Sequence, residues 1–339
     1  MVLPDVSLWL LATLGFTVGT LSGFFGVGGA FIMTPALNIL GYPMVYAIGT
    51  DLAMMVGSST VAAIRHFRFG NVDIRLGLYM LLGTGLGVWL GKTLVLALVA
   101  AGGADAVLRM IYMFLLFGLS GFMVYDYLTF LYRNPGLRHD DRQESVGTRL
   151  SRRLQALRVP PYVHLPVSGI ARVSLWVPIV IGVFTGFLAA LLGVGGGFIR
   201  MPALIYGLGV PTSVAIGTDL FEIVFSSAIG TYFYALAGKV HLPTAVVMLI
   251  GATLGAEIGS YATLHVRGMR VRFYFALTIF GAAVSVVLKQ LGEHFAIPEL
   301  STLAAYLILS VAVLMMLTIL IKLAAGLLIR VQESNSRLK

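Results

Sequence analysis

The chain has 339 residues, 58% of them hydrophobic and only 11% charged, with a mean hydropathy of +0.95. Soluble domains carry about 25% charge, so this composition excludes an ordinary soluble protein and indicates an integral membrane protein. The net charge of +9 does not indicate nucleic-acid binding, since most of it sits in short loops, and the absence of cysteine excludes disulfides, thiolate metal sites and a cysteine nucleophile.

The N-terminus, MVLPDVS, lacks the basic region of a signal peptide and no small-x-small cleavage site follows, so the first apolar run is expected to be retained. Between Val6 and Thr50 there is no Asp, Glu, Lys, Arg or His. A span needs ~20 apolar residues, so that stretch is long enough for more than one pass. Hydrophobic segments fall at about 8–25, 29–40, 45–67, 74–100 and 108–132. A polar, Arg-rich linker spans 133–172, and further segments run at about 175–192, 197–208, 214–237, 243–265, 271–291 and 301–329. The segments 29–40 and 197–208 are too short to cross: a 12-residue helix is ~18 Å long against a hydrocarbon core of ~30 Å. They are expected to dip in and return, or to form half of a broken helix, which membranes tolerate only against protein or a wet cavity.

The chain repeats itself. Residues 26–37 read GVGGAFIMTPAL and residues 193–204 read GVGGGFIRMPAL, and each is followed by AIGTDL, at 47–52 and 215–220. Trp9 matches Trp176 and Pro35 matches Pro202 at an offset of 167 residues; Pro43/Pro211, Asp51/Asp219 and Gly70/Gly238 match at 168. Gly83, Gly87 and Gly91 match Gly251, Gly255 and Gly259, a glycine every fourth residue that makes a flat helix face for tight packing. Arg109 and Arg272, each separated by seven residues from a Phe-Gly, close the match. The expected fold is all-α, with a first transmembrane repeat at 1–132, a linker at 133–172, a second repeat at 173–292 and an additional C-terminal helix and tail at 293–339.

Loop charges set an expected orientation. The linker holds eight Arg against three acids, the loop at 65–75 holds Arg65, Arg68 and Arg75, and the loop at 266–272 holds Arg267, Arg270 and Arg272. All three are expected on the cytoplasmic side, with the C-terminus, while the weakly charged loop 238–242 and the N-terminus face outward. Because 238–242 aligns with 70–74, equivalent loops face opposite sides and the repeats are expected to be inverted. Inverted repeats with broken helices are a transporter arrangement, with substrate near the midplane.

Candidate site residues follow from that frame. Gly26, Gly28 and Gly29 in one copy, and Gly193, Gly195, Gly196 and Gly197 in the other, allow a backbone break after which free helix N–H groups suit an anion; tight packing at a sharp turn is the alternative. Arg200 is the one charged residue between Val173 and Thr218, and its partner in the first copy is Met33. It is expected to contact an anionic substrate, with snorkelling or pairing to Asp219 or Glu222 as the alternatives. Asp51 and Asp219 follow Gly-Thr near helix starts; they read either as coupling acids or as helix-dipole partners with Thr50 and Thr218 as caps. Glu222 and Glu257, matched by Met54 and Trp89, are further coupling candidates, or partners of basic residues on neighbouring helices. Ser58 and Ser226 offer hydroxyls to a substrate or to their own helix backbone. His66, between Arg65 and Arg68, is expected at the interface. The stretch 146–158 reads as a helix on anionic lipid or, preferentially, as part of a solvated tether. No HExxH, Walker or GxSxG motif is present, so no enzyme, cofactor or metal site is expected.

The doubled G-x-G-G-[GA]-F-I-x-x-P, the following AIGTDL, and GNVD (70–73) before the glycine-every-fourth face resemble the sulfite exporter TauE/SafE family of membrane permeases over about 8–290. The resemblance implies an inner-membrane permease of two repeats that transports small sulfur-containing anions such as sulfite, thiosulfate or organosulfonates, coupled to an ion gradient. Arg200 stands where that family usually has an apolar residue, and the linker is longer than the fold needs. The partners implied are a small anion, membrane lipid, a coupling proton or sodium ion and, as an option, a second copy in a homodimer; nucleic acid is excluded. The runner-up reading is a membrane-embedded accessory or assembly protein handling a metal or sulfur compound for a partner enzyme.

Overall fold

The computed structural model describes residues 4, 6–133, 149–192, 195–266 and 269–337. They form an almost entirely helical bundle. The first half contains α1 (Leu8–Phe25), α2 (Ala30–Ile39), α3 (Met44–Arg68), α4 (Ile74–Ala100) and α5 (Ala104–Arg133). A short α6 (Arg149–Gln155) and a two-stranded hairpin, β1 (Tyr162–Leu165) and β2 (Ile170–Ser174), lead into the second half. That half contains α7 (Trp176–Leu192), α8 (Gly197–Pro202) widening into a π turn at Ala203–Leu208, α9 (Thr212–Leu236), α10 (Leu242–Ala262) and α11 (Met269–His294), followed by α12 (Pro298–Arg337). Among the described residues eight helices are long and apolar enough to cross a membrane; α2, α7 and α8 with its π turn are shorter. The chain is an all-α integral membrane protein.

The two short elements owe their ends to glycine. Helix α1 stops where Gly26 turns left-handed (φ 77°) and its N–H donates to the Ser22 carbonyl at 2.8 Å. Gly28 and Gly29 (φ 74° and 79°) then reverse the chain before α2, and Gly195 and Gly196 (φ 61° and 80°) do the same before α8. An L side chain at such a φ costs about 1–2 kcal/mol. Gly193 lies outside the described residues.

Packing follows the duplicated glycine faces, and each face meets a helix of the other half. In α10, a Cβ on Gly251, Gly255 or Gly259 would sit 2.0–2.1 Å from the carbonyl oxygens of Ala12, Phe16 and Thr20. In α4, a Cβ on Gly83, Gly87 or Gly91 would sit 2.1–2.3 Å from those of Ile179, Val183 and Phe187. Both contact series advance in step, so α1 runs parallel to α10 and α4 parallel to α7. Between these pairs α3 and α9 cross antiparallel: Gly49 meets Tyr234 and Lys239, while Gly230 meets Leu52 and Gly217 meets His66 and Asn71. Only glycine allows backbones this close, which is how apolar helices gain packing energy when lipid is as apolar as they are.

The described part of the linker, 149–174, is folded against the bundle, which differs from the solvated tether expected of it. The reason is a spare carboxylate oxygen. Asp73 caps α4 by accepting from Leu76 N–H at 3.1 Å through Oδ1, and its Oδ2 accepts from the Ser168 N–H at 3.1 Å and the Ser168 hydroxyl at 2.7 Å. Gln155 donates to the Leu208 carbonyl at 2.6 Å, and Leu165, Ile170 and Val173 of the hairpin are buried.

Candidate functional site

The two glycine breaks meet at the centre of the bundle. A Cβ on Gly28 would lie 2.7 Å from Met55 Sδ and 3.4 Å from Ile223 Cδ1. A Cβ on Gly195 would meet the same two side chains, Met55 at 3.1 Å and Ile223 at 3.2 Å. Met55 and Ile223 are themselves equivalent positions of α3 and α9, so one break from each half rests on the α3–α9 crossing. The breaks also touch directly, a Cβ on Gly197 lying 2.8 Å from Val27 Cα, and Gly26 abuts Ile216. The Ser226 hydroxyl donates to the Gly195 carbonyl at 3.2 Å. Its counterpart Ser58, with Ser59, is fully buried and its hydroxyl has no hydrogen-bond partner among the described residues.

On the second-half side of the crossing sits a buried charged cluster. Arg200 is fully buried; its Nη1 donates to Asp219 Oδ1 at 2.9 Å and pairs with Glu222, and its Nε donates to Thr185 Oγ1 at 3.2 Å. Thr84, from α4 of the first half, donates to Glu222. Arg200 Nη2 has no partner among the described residues, and a methyl at Gly196 would lie 2.7 Å from it, so the free edge of the guanidinium faces the break. The pairing weighed as an alternative for Arg200 is therefore present, and it leaves one donor group over. Cations and anions held together in dry packing offset a desolvation cost of several kcal/mol per ion.

On the first-half side Asp51 is fully buried and its Oδ2 accepts from the Thr34 hydroxyl at 2.7 Å. The Tyr112 hydroxyl donates to the carbonyl of Ala30, the first residue of α2, at 3.0 Å. Its ring stacks on Phe198 of α8, centroids 6.5 Å apart at 12°.

Asp51 and Asp219 do not cap their helices. Helices α3 and α9 begin at Met44 and Thr212, so both acids lie about two turns inside. Thr50 and Thr218 hold loops of the opposite half instead: Thr50 Oγ1 accepts from His241 N–H at 3.0 Å, and Thr218 Oγ1 accepts from Asp73 N–H at 2.9 Å. Glu257 is away from this centre, half-buried and paired with Arg65. His66 is fully buried with Nε2 3.2 Å from the Gly23 carbonyl, where an interfacial position was expected; Gly217 of α9 lets that helix close over it, a Cβ there lying 3.2 Å from the His66 Cβ.

Thr34, Thr84, Thr185 and Tyr112 escaped the sequence reading, although a signal existed. At the repeat offsets their counterparts are Met201, Ala252, Val18 and Phe275, all apolar. Arg200 and Glu222 are likewise unmatched, against Met33 and Met54. Polar residues present in only one half thus collect around one or the other duplicated aspartate. The scaffold is duplicated and the chemistry is not.

A model of the family described as Sulfite exporter TauE/SafE matches residues 11–286. The chain is 24% identical over 267 residues to Probable membrane transporter protein YunE of Bacillus subtilis, covering 75% of this chain and 88% of that one. It is 26% identical over 297 residues to a probable membrane transporter protein of Haemophilus influenzae, covering 86% of this chain and all of that one. It is 34% identical over 110 residues to Sulfite exporter TauE/SafE family protein 3 of Arabidopsis thaliana, a match covering 31% of this chain and 23% of that one. No solved structure matches.

Proposed function

The chain belongs to the sulfite exporter TauE/SafE family, and from that premise we propose that it is a secondary transporter for a small sulfur-containing or related organic anion, working by alternating access of two inverted repeats. The observation that carries this reading is the convergence of two left-handed glycine breaks, one from each half, on a shared Met55–Ile223 contact beside buried, unpartnered donors. Broken helices that meet at depth expose backbone dipoles where a permeant anion needs them. The Arg200 Nη2 group, facing Gly196, supplies a guanidinium edge for an oxyanion. Ser58 lies on the same crossing with a free hydroxyl. Asp219 and Glu222 hold Arg200 in place.

The antiparallel crossing of the equivalent helices α3 and α9 supports inversion of the repeats. So does the placing of charge. The Arg65–Glu257 pair and the Asp73–Ser168 contact gather the 65–75 loop, the end of α10 and the linker at one end of the bundle. His241 lies beside Thr50, at the other end of α3. The basic end is the cytoplasmic one in this reading, with the N-terminus outside and the plasma membrane as the location.

The test is flux in proteoliposomes across sulfite, sulfate, thiosulfate, sulfoacetate and taurine, with and without pH and sodium gradients. Saturable flux of at least one sulfur oxyanion is expected, and Arg200→Lys, which keeps the charge but not the planar fork, should lower its apparent affinity. Flux of none of these anions would overturn the assignment.

A further inference from the structure

The acids of the described helices are not treated alike. Asp219 and Glu222 share Arg200, Glu257 has Arg65, and Glu293 has Arg109 and Lys289. Asp73 has no cation, but both its oxygens accept hydrogen bonds at the N-terminus of α4. Asp51 differs from all of them. It is fully buried, its Oδ2 accepts from the Thr34 hydroxyl, and its Oδ1 has no partner among the described residues; Asp219 Oδ2 is unpartnered too, but Asp219 has Arg200 beside it and Asp51 has no cation among those residues.

Among the described residues, the elements packed around α3 bring no unpaired cation to Asp51. Helix α1 carries no charged residue, and α2 presents Thr34. From α5 comes Tyr112, and Arg109 of that helix is engaged by Glu293. From α9 come Asp219 and Glu222, already held by Arg200, and from α10 Glu257, held by Arg65. In the α9–α10 turn, Lys239 lies over the Tyr46 ring at 5.1 Å and the His241 ring bonds Thr244 at 2.7 Å. On α3 itself, Arg65, His66 and Arg68 lie about four turns further along.

We propose that Asp51 is the carboxyl that binds and releases the coupling proton of the transport cycle, and that Arg200 serves Asp219 as a fixed counter-charge in the place the proton takes at Asp51. This rests on the transporter reading above and names its coupling ion and site. Protonation forms an O–H bond at Oδ1 and leaves Asp51 uncharged. Release breaks that bond, hands the proton to water and leaves a lone carboxylate in dry packing, a state that favours rearrangement until water reaches it. The rearrangement has a route to both breaks. Thr34, the hydrogen-bond donor to Asp51, lies in α2 just beyond the first break. Tyr112 holds the Ala30 carbonyl at the start of the same helix and stacks on Phe198, next to the second break.

The test uses the full chain and two readouts. In infrared difference spectra of the purified protein, taken between acid and alkaline pH without substrate, the carbonyl stretch of a protonated carboxylic acid is expected. Asp51→Asn should remove a pH-dependent component of this band that the double variant Asp219→Asn/Glu222→Gln retains. In proteoliposomes with the membrane potential clamped, radiolabelled sulfite should accumulate under an imposed pH gradient, and in Asp51→Asn accumulation should fall to the level seen without a gradient. Asp51→Glu, which keeps the acid, should retain gradient-driven accumulation. A band left unchanged by Asp51→Asn overturns the proposal, as does accumulation in that variant that still follows the pH gradient. A sodium gradient that drives accumulation at equal pH overturns the proton as the ion. If the wild-type moves no sulfite, the transport reading fails for that anion, and the infrared band still decides the proton site.

Discussion

Replacing Arg200 with the residue of the matching position, Met33, tests whether the Arg200 cluster is one electrostatic unit. The cluster holds one cation and two carboxylates, all fully buried, with Nη1 shared between Asp219 and Glu222. Arg200→Met leaves the two carboxylates without their cation, with Thr84 donating to Glu222. Removing one partner of a buried pair costs about 3–5 kcal/mol, because the remaining charge is uncompensated. Glu222→Met alone leaves the Arg200–Asp219 pair intact and should cost much less. Combining the two removes one of the stranded carboxylates, so the double variant should be more stable than Arg200→Met alone, with an interaction energy of about 1–3 kcal/mol, as groups in direct contact show. The assay is a double-variant cycle read by denaturant unfolding of the purified protein in detergent micelles. Additive losses, with the double variant at least as unstable as Arg200→Met, would refute the description of a single coupled cluster. Unchanged stability in Arg200→Met with lost flux would mean that the guanidinium serves substrate alone.

The glycine face of α4 predicts a contrast within one helix: Gly87→Ala puts a methyl 2.1 Å from the Val183 carbonyl and should cost about 1–3 kcal/mol, whereas Gly85→Ala meets nothing within 4 Å and should be neutral or stabilising by up to about 1 kcal/mol. Thermal melting of the two variants in the same detergent checks this, and equal losses would contradict the packing described. The hairpin at 162–174 should detach in Ser168→Ala, which removes the hydroxyl donor to Asp73 at 2.7 Å; faster amide exchange across 162–174 is the expected result, and unchanged exchange would show that other contacts hold it.

Much of the fold is legible in the sequence because bilayer physics is local. A segment too short to span can be counted, and the expected breaks at 29–40 and 197–208 coincide with α2 and with α8 and its π turn. Glycine at a left-handed turn can be read from the doubled motif, since few other residues accept that backbone. The hairpin could not be read the same way. Its strands are four and five residues long, and their stability comes from Asp73, about ninety residues away in the chain. Arg200 shows the same limit. Its isolation in the sequence marks it as a residue of consequence, but whether a buried guanidinium meets a substrate or a carboxylate depends on what α9 brings alongside.

By itself the sequence determined the membrane class, and it displayed the doubled motif, the short segments and the glycine faces, since each follows from local composition, length and backbone freedom. Only the tertiary structure decided which helices those faces meet, that both breaks rest on Met55 and Ile223, and that Arg200 is shared by Asp219 and Glu222 while Asp51 has no cation among the described residues. The reason is that an ion's environment is set by side chains from several helices at once. Thr84 and Glu222 lie 138 residues apart in the chain and within hydrogen-bonding reach in the fold.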